Sequence, residues 1–110
     1  MSENLIYHEI TGPELNQHIR KEFTGIVVFA SDWTGGASLV HTMMESMSGH
    51  YSPQIRFFSI DPHKFPESAQ EFGVNGHLAI LLYRSGVAVD KLTGIPSKNL
   101  MRSKIDQLLL

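Results

Sequence analysis

One short segment, Ile26–Ala30, constrains the fold of this chain more than any other. Its residues, Ile-Val-Val-Phe-Ala, are all apolar, and most are β-branched or aromatic. A continuous run of this kind predicts a strand that is covered on both faces, because a strand with one solvated face alternates apolar and polar residues. Such a strand requires a sheet with helices on each side. The segment therefore predicts an α/β fold.

Helical and strand patterns alternate on either side of this segment. Pro13 suits the first turn of a helix, and Gly25 is the expected stop of that helix. The full order of predicted elements is β-α-β-α-β-α-β-β-α, in which early strands joined by helices are parallel neighbours and the final hairpin is antiparallel. The result is a mixed central sheet of about five strands, flanked by about four helices. The expected strands are 5–10, 26–30, 55–60, 79–83 and 87–92, and the later helices begin after Gly36, near Glu67 and after Ser97, which is the expected cap.

The second helix carries an apolar face that we interpret as part of the core. Its methionines fill core positions better than they form an adaptable groove. The helix is expected to end near Gly49, and the residues on its apolar face are Leu39, Val40, Met43, Met44 and Met47.

Length and charge limit the classes of function. The chain has 110 residues, which suits one domain over 1–110, and 42% of them are hydrophobic. The formal net charge is -2, without a long run of one sign. A nucleic-acid partner and an anionic membrane surface are therefore not expected. The first residues resemble no signal peptide and no apolar run is long enough to span a membrane, so a cytoplasmic location is expected.

The histidines do not indicate a metal site. No pair among them has the spacing of a zinc motif, and no metal or other cofactor is expected. His41 and Glu45 lie one helical turn apart, and a surface contact between them is the better interpretation than a shared ion. The six histidines are His8, His18, His41, His50, His63 and His77.

The chain contains no cysteine. The fold therefore cannot rest on disulfides, and no reaction step can use a thiolate as a nucleophile or as a metal ligand.

Several local sequences, in order, resemble the thioredoxin family over nearly the whole chain. The apolar strand leads through Trp33 into Thr34-Gly35-Gly36-Ala37, where the family has Trp-Cys-Gly-Pro-Cys before its long second helix. The resemblance implies a thioredoxin-like fold. The other matching segments are Ile60-Asp61, Phe72-Gly73-Val74, Tyr83-Arg84-Ser85-Gly86 and Leu92-Thr93-Gly94.

The departures from the family pattern fall on its chemistry. Thr34 and Ala37 replace the attacking and the resolving cysteine. Val28 stands where thioredoxins carry a buried aspartate, and Phe57 stands where they carry the lysine paired with it. Four parts of one mechanism are absent together, so the resemblance implies a scaffold without thiol–disulfide activity.

The family also has a cis-proline opposite its cysteine turn. Leu78 occupies that place, in the segment Gly76-His77-Leu78-Ala79. A cis peptide before a residue other than proline costs about 2.5–4 kcal/mol. We therefore expect a trans His77–Leu78 bond and a reshaped loop.

The resemblance implies a partner-binding face around the former active site. The expected residues are Trp33, Thr34, Gly35, Gly36, His77, Leu78 and Thr93, with Gly94 beside them. Trp33 either anchors a partner or packs against the loop near Asp61. The Thr34 turn either binds an anion at the helix start or, as we favour, simply begins the helix with Thr34 or Asp32 as its cap. His77 and Leu78 complete the face or, alternatively, leave a solvated histidine beside a leucine that plugs the groove.

Three functions follow from these observations. The leading hypothesis is a redox-inactive module, not an enzyme, that binds a protein partner without a covalent bond or acts like a chaperone. The second is a non-thiol enzyme of the same superfamily, with glutathione-transferase-like chemistry at Thr34. The third is a structural subunit of a larger complex, and the sequence leaves the oligomeric state open.

Overall fold

The elements of the chain follow the predicted order. A computed structural model describes residues 6–74 and 78–110. The bounds are β1 (Tyr7–Glu9), α1 (Gly12–Arg20), β2 (Gly25–Phe29), α2 (Ala37–Tyr51), β3 (Arg56–Ile60), α3 (Pro66–Glu71), β4 (Ala79–Arg84), β5 (Val87–Thr93) and α4 (Lys98–Leu108). Of the predicted first strand, 5–10, position 5 lies outside the described residues.

The five strands form one mixed sheet in the order β1-β3-β2-β4-β5. β3 pairs in parallel with both β1 and β2, whereas β4 runs antiparallel to β2 and to β5. The prediction that strands joined by a helix are parallel neighbours is confirmed for β2 and β3. It is wrong for β1 and β2, because β3 lies between them, and for β3 and β4, because β2 lies between them. β2 is buried along its whole length and needs a partner on both edges, while His8 and Glu9 of β1 are exposed and suit the edge.

Two apolar cores pack against the two faces of the sheet. Alternate residues of β2 point to opposite cores, since successive side chains of a strand leave on opposite faces. The core on the side of α2 and α4 includes Val28, Met44, Phe57, Leu78 and Ile105, and the core on the side of α1 and α3 includes Leu15, Val27, Phe29, Ala69 and Tyr83.

The first helix begins as predicted but ends earlier. Thr11 is its N-cap, and the Thr11 and Glu14 side chains each accept a hydrogen bond from the other residue's backbone N–H. Lys21, and not Gly25, caps the C-terminus. Gly25 is instead the first residue of β2, where a Cβ atom would collide with the carbonyl oxygen of Arg56 on the neighbouring strand.

The predicted apolar face of α2 is only partly buried. Met44 and Met47 are in the core and Met43 packs against it, so core filling is confirmed. Leu39 is 64% exposed and does not belong to that face. At the end of the chain, Ser97 accepts a hydrogen bond from the backbone N–H of Leu100 at 3.1 Å and caps α4 as predicted.

The edge strand β5 contains a bulge. Leu82 pairs with Asp90 and the next residue of β4, Tyr83, pairs with Ala88, so Val89 has no partner on β4. The extra residue bends the strand and increases its local twist.

In the described part of the chain, every helix is too short or too polar to span a bilayer.

Candidate functional site

Three chain segments meet at one end of the central strands. They are the turn that follows β2, the start of β4 at Leu78, and the segment that follows β5. The backbone N–H of Gly94 donates to the carbonyl oxygen of Leu78 at 2.9 Å, which ties the second segment to the third. The Ile95 side chain covers Gly36, so the third segment also contacts the turn.

The three segments enclose a groove of about 720 Å³. Thr34, Gly35, Leu78 and Thr93, all predicted from the resemblance, lie along it. Gly94, expected beside them, lies there too, whereas sequence reasoning missed the other residues that give the groove its shape and charge. The remaining lining residues are Gly73, Val74, Ala79, Lys91 and Ile95.

Backbone hydrogen bonds fix the turn before α2. The N–H of Thr34 donates to the Ser31 carbonyl oxygen at 2.9 Å, and the N–H of Ala37 donates to the Thr34 carbonyl oxygen at 3.0 Å. Gly36 is the N-cap, with a φ of 88° and no side-chain hydrogen bond to the helix. The expectation that Thr34 or Asp32 caps α2 is therefore wrong. The turn closes through its backbone and needs no polar cap.

Leu78 is a core residue as well as a groove residue. Its side chain is 4% exposed and belongs to the core on the side of α2 and α4. Leu78 thus forms the floor of the groove. His77, the predicted trans bond to Leu78 and the preceding Gly76 lie outside the described residues.

Trp33 points away from the groove. Its side chain is 73% exposed, and its ring meets that of His63 edge to face, with 5.4 Å between centroids. A separate cleft of about 340 Å³ lies here, lined by Ser31, Trp33, Pro62, His63 and Pro66. Trp33 therefore does contact the loop after Asp61, yet most of its surface stays open to solvent.

A buried serine connects the turn to that loop. The Ser31 hydroxyl donates to Asp61 Oδ1 at 2.7 Å, and the same oxygen accepts from the His63 N–H at 2.8 Å. Burial raises the pKa of Asp61, but these hydrogen bonds outweigh it and hold the pKa below its usual value. Asp61 therefore stays ionised and holds together the two segments on which Trp33 and His63 lie.

Apolar residues occupy the two positions at which thioredoxins carry the buried aspartate and its paired lysine. Val28 and Phe57 are buried in the same core as Leu78. Within residues 6–74 and 78–110, the Thr34 hydroxyl has no hydrogen bond to a basic or acidic side chain.

His41 pairs with a residue other than the expected one. Its Nδ1 atom lies 2.6 Å from the Tyr7 hydroxyl, which joins α2 to β1, and among the described side chains His41 forms no hydrogen bond or ion pair with Glu45. Among the described side chains, no group of three metal-ligating residues converges.

Comparison with known proteins gives consistent matches. A family model described as thioredoxin matches residues 7–107. Thioredoxin 2 of Chlorobaculum tepidum is 22% identical over 102 residues, covering 92% of this chain and 94% of that protein. Thioredoxin M2, a chloroplastic protein of Arabidopsis thaliana, is 23% identical over 84 residues, which are 76% of this chain and 45% of that longer protein.

The similarity extends to solved structures. Thioredoxin NaTrxh from Nicotiana alata superposes with a TM-score of 0.81 at 26% identity, over 97% of this chain and 96% of that one. The five-stranded sheet and the four helices match the predicted thioredoxin-like fold. The predicted fold class is confirmed.

Proposed function

This chain belongs to the thioredoxin family, and from that premise we propose that it is a redox-inactive module that binds a protein partner without forming a covalent bond. Thioredoxin chemistry needs a thiolate, and the chain has no cysteine. The proposal places the partner in the groove and on the exposed Trp33, and places the protein in the cytoplasm. A chaperone-like role is the same proposal applied to unfolded partners.

The groove is the observation that carries this proposal. Binding sites are concave, largely apolar and have a few polar groups that orient the ligand. Val74, Leu78 and Ile95 supply apolar surface, and the volume of about 720 Å³ is in the range of such sites. Ile95 is 51% exposed, so a partner would bury apolar area there. Trp33 supports the proposal because tryptophan is frequent among residues that dominate binding energy.

An affinity experiment with substituted chains tests the proposal. Immobilised chain is compared with Trp33→Ala and Ile95→Asp variants for the proteins that it retains from cell extract. Both substitutions are at exposed positions, whereas Leu78 is buried and its substitution would disturb the core. Val87→Asp is the matched control, since Val87 is 63% exposed and lies on the hairpin outside the groove lining.

We expect specific proteins to be retained by the original chain and by Val87→Asp, and to be lost with Ile95→Asp and with Trp33→Ala. Nuclear magnetic resonance titration with one recovered protein would then move the amide signals of Thr34, Gly35 and Thr93. Retention of the same proteins by every variant would contradict the proposal.

We also propose that the chain is not an enzyme. Among the described residues, the Thr34 hydroxyl has no hydrogen bond to an acidic or basic side chain, which gives no support to glutathione-transferase-like chemistry. The expected result is no reduction of insulin with dithiothreitol beyond the rate without protein, and no conjugation of glutathione to a chlorinated nitrobenzene. Conjugation that disappears with Thr34→Val would favour the enzyme hypothesis instead.

A further inference from the structure

We infer that the groove selects an extended segment of its partner in which an acidic side chain lies beside apolar ones, and that Lys91 binds the acid. This inference rests on the proposed function and adds the chemistry of the partner. It starts from the charge of the groove. Lys91 is the charged residue among the described lining residues, and the others are Thr34, Gly35, Gly73, Val74, Leu78, Ala79, Thr93, Gly94 and Ile95.

The charge of Lys91 has no acidic partner within the described parts of the chain. The described ion pairs join Lys64 to Glu9 and Lys104 to Asp90, the latter at 2.6 Å. Asp90 is the residue next to Lys91, but its carboxylate is taken up by Lys104. The groove therefore presents a positive charge that an acidic ligand would neutralise.

A backbone contact holds this charge at the groove wall. The Lys91 Nζ atom donates to the carbonyl oxygen of Gly73 at 2.8 Å. A lysine ammonium has three donors, so two remain for a ligand. The side chain is already ordered by Gly73, and less conformational entropy is lost when a ligand binds.

The rest of the groove fits an extended apolar segment. Val74 and Leu78 are almost completely buried and form a floor, and Ile95 forms an exposed wall. An apolar side chain of the partner would rest on this floor while its acidic neighbour reaches Lys91. Such an exposed ion pair contributes modestly, so the acid is expected to change affinity roughly two- to fivefold.

Selection of displayed peptides tests the inference. A phage library of random peptides is selected on immobilised original chain and on Lys91→Glu, Lys91→Met and Lys21→Glu variants. Lys21 is exposed at the end of α1, so Lys21→Glu makes the same change in net charge outside the groove lining. The original chain and Lys21→Glu should enrich peptides with Asp or Glu beside apolar residues. Lys91→Glu should enrich Lys or Arg, and Lys91→Met should show no preference for charge.

A synthetic pair of peptides then measures the effect. The consensus peptide and its Glu→Gln form are titrated into the original chain and into Lys91→Met by calorimetry. We expect the Gln form to bind roughly two- to fivefold more weakly to the original chain, and the two forms to bind equally well to Lys91→Met. Peptides that need Ile95 but show no acidic preference would overturn the inference and leave the proposed function standing. If no enriched peptide loses binding with Ile95→Asp, both are overturned.

Discussion

Gly35 and Gly36 are neighbours in the turn before α2 but have different surroundings. Gly36 has a φ of 88°, and a Cβ atom there would lie 2.5 Å from Ile95 Cδ1. At Gly35 the φ is not in the left-handed region, and a Cβ atom would meet no other atom within 4 Å. The structure therefore requires glycine at position 36 but not at position 35.

Gly36→Ala is expected to lower the free energy of unfolding by about 2 kcal/mol, since left-handed backbone costs a residue with a Cβ about 1–2 kcal/mol and Ile95 must also move. Gly35→Ala should change it by less than about 1 kcal/mol in either direction. Urea denaturation of both variants measures the difference. Equal losses at both positions would contradict the left-handed backbone at Gly36 together with its close approach to Ile95.

Two buried tyrosines differ in the partners of their hydroxyl groups. The Tyr83 hydroxyl is buried and has no hydrogen-bond partner in the described part of the chain, and burial, with a smaller effect of Glu71, raises the pKa of Tyr83 to about 12. The Tyr7 hydroxyl lies 2.6 Å from His41 Nδ1.

Tyr83→Phe should raise the free energy of unfolding by about 1 kcal/mol, because it removes a buried polar atom that has no partner. Tyr7→Phe should lower it by about 1 kcal/mol, because the hydrogen bond to His41 is lost. Thermal and urea denaturation of the two variants check the opposite signs. A destabilised Tyr83→Phe protein would reveal a partner for that hydroxyl.

At the scale of elements, the first two helices begin in different ways. α1 begins with a reciprocal capping box between Thr11 and Glu14, while α2 begins at Gly36 without a side-chain cap. Local sequence therefore stabilises the start of α1, whereas the start of α2 depends on the turn and on packing against Ile95.

Thr11→Ala should lower the free energy of unfolding by about 1 kcal/mol, since it leaves the N–H of Glu14 without its cap. Thr11→Ser keeps the hydroxyl and is the control, with little expected change. Urea denaturation gives both values. A Thr11→Ala protein as stable as the original would mean that water replaces the cap at no cost.

The kinds of element were predictable because their patterns are local. The run 26–30 predicted a buried strand, and Ser97 predicted the start of α4. The order of the strands was not predictable in the same way, since β3 is placed between β1 and β2 by contacts between distant segments. Gly25 has a pattern typical of a helix stop, and its place in β2 is explained by the Arg56 carbonyl oxygen and the Phe23 ring, which leave no room for a Cβ atom.

Only those residues of the candidate site that match active-site positions of thioredoxins were predictable from the sequence. Thr34, Gly35, Leu78 and Thr93 were found because matching positions surround the active site of thioredoxins. Lys91 carried no local signal, because its role depends on the Gly73 carbonyl, which lies 18 residues away in the chain.

At the scale of the whole molecule, the titrating groups make stability depend on pH. Burial, and then the positive charges of Arg56 and Lys21, lower the pKa of His18. The His18 ring stacks on Phe58 with 4.5 Å between centroids, and its Nδ1 atom is buried without a hydrogen-bond partner in the described structure. The unfolded chain therefore takes up this proton at a higher pH, near 6.5, than the folded chain does.

The contribution of His18 to stability is present above about pH 6.5 and is lost as the pH falls below that value. The free energy of unfolding should therefore decrease between pH 7 and pH 5, and His18→Leu should make this decrease smaller. His50→Gln, at an exposed position, is the control. Urea denaturation at several pH values measures the slope, and an unchanged slope in His18→Leu would contradict the assignment.

The bulge in β5 bears on whether copies of this chain can pair edge to edge through their sheets. An edge strand with uninterrupted backbone donors and acceptors is a template on which cross-β fibres grow. Here the unpaired Val89 interrupts the regular spacing of the backbone donors and acceptors midway along β5. The side chains of Val87 and Val89 are exposed. We therefore expect the bulge to oppose the growth of fibres from this edge of the sheet.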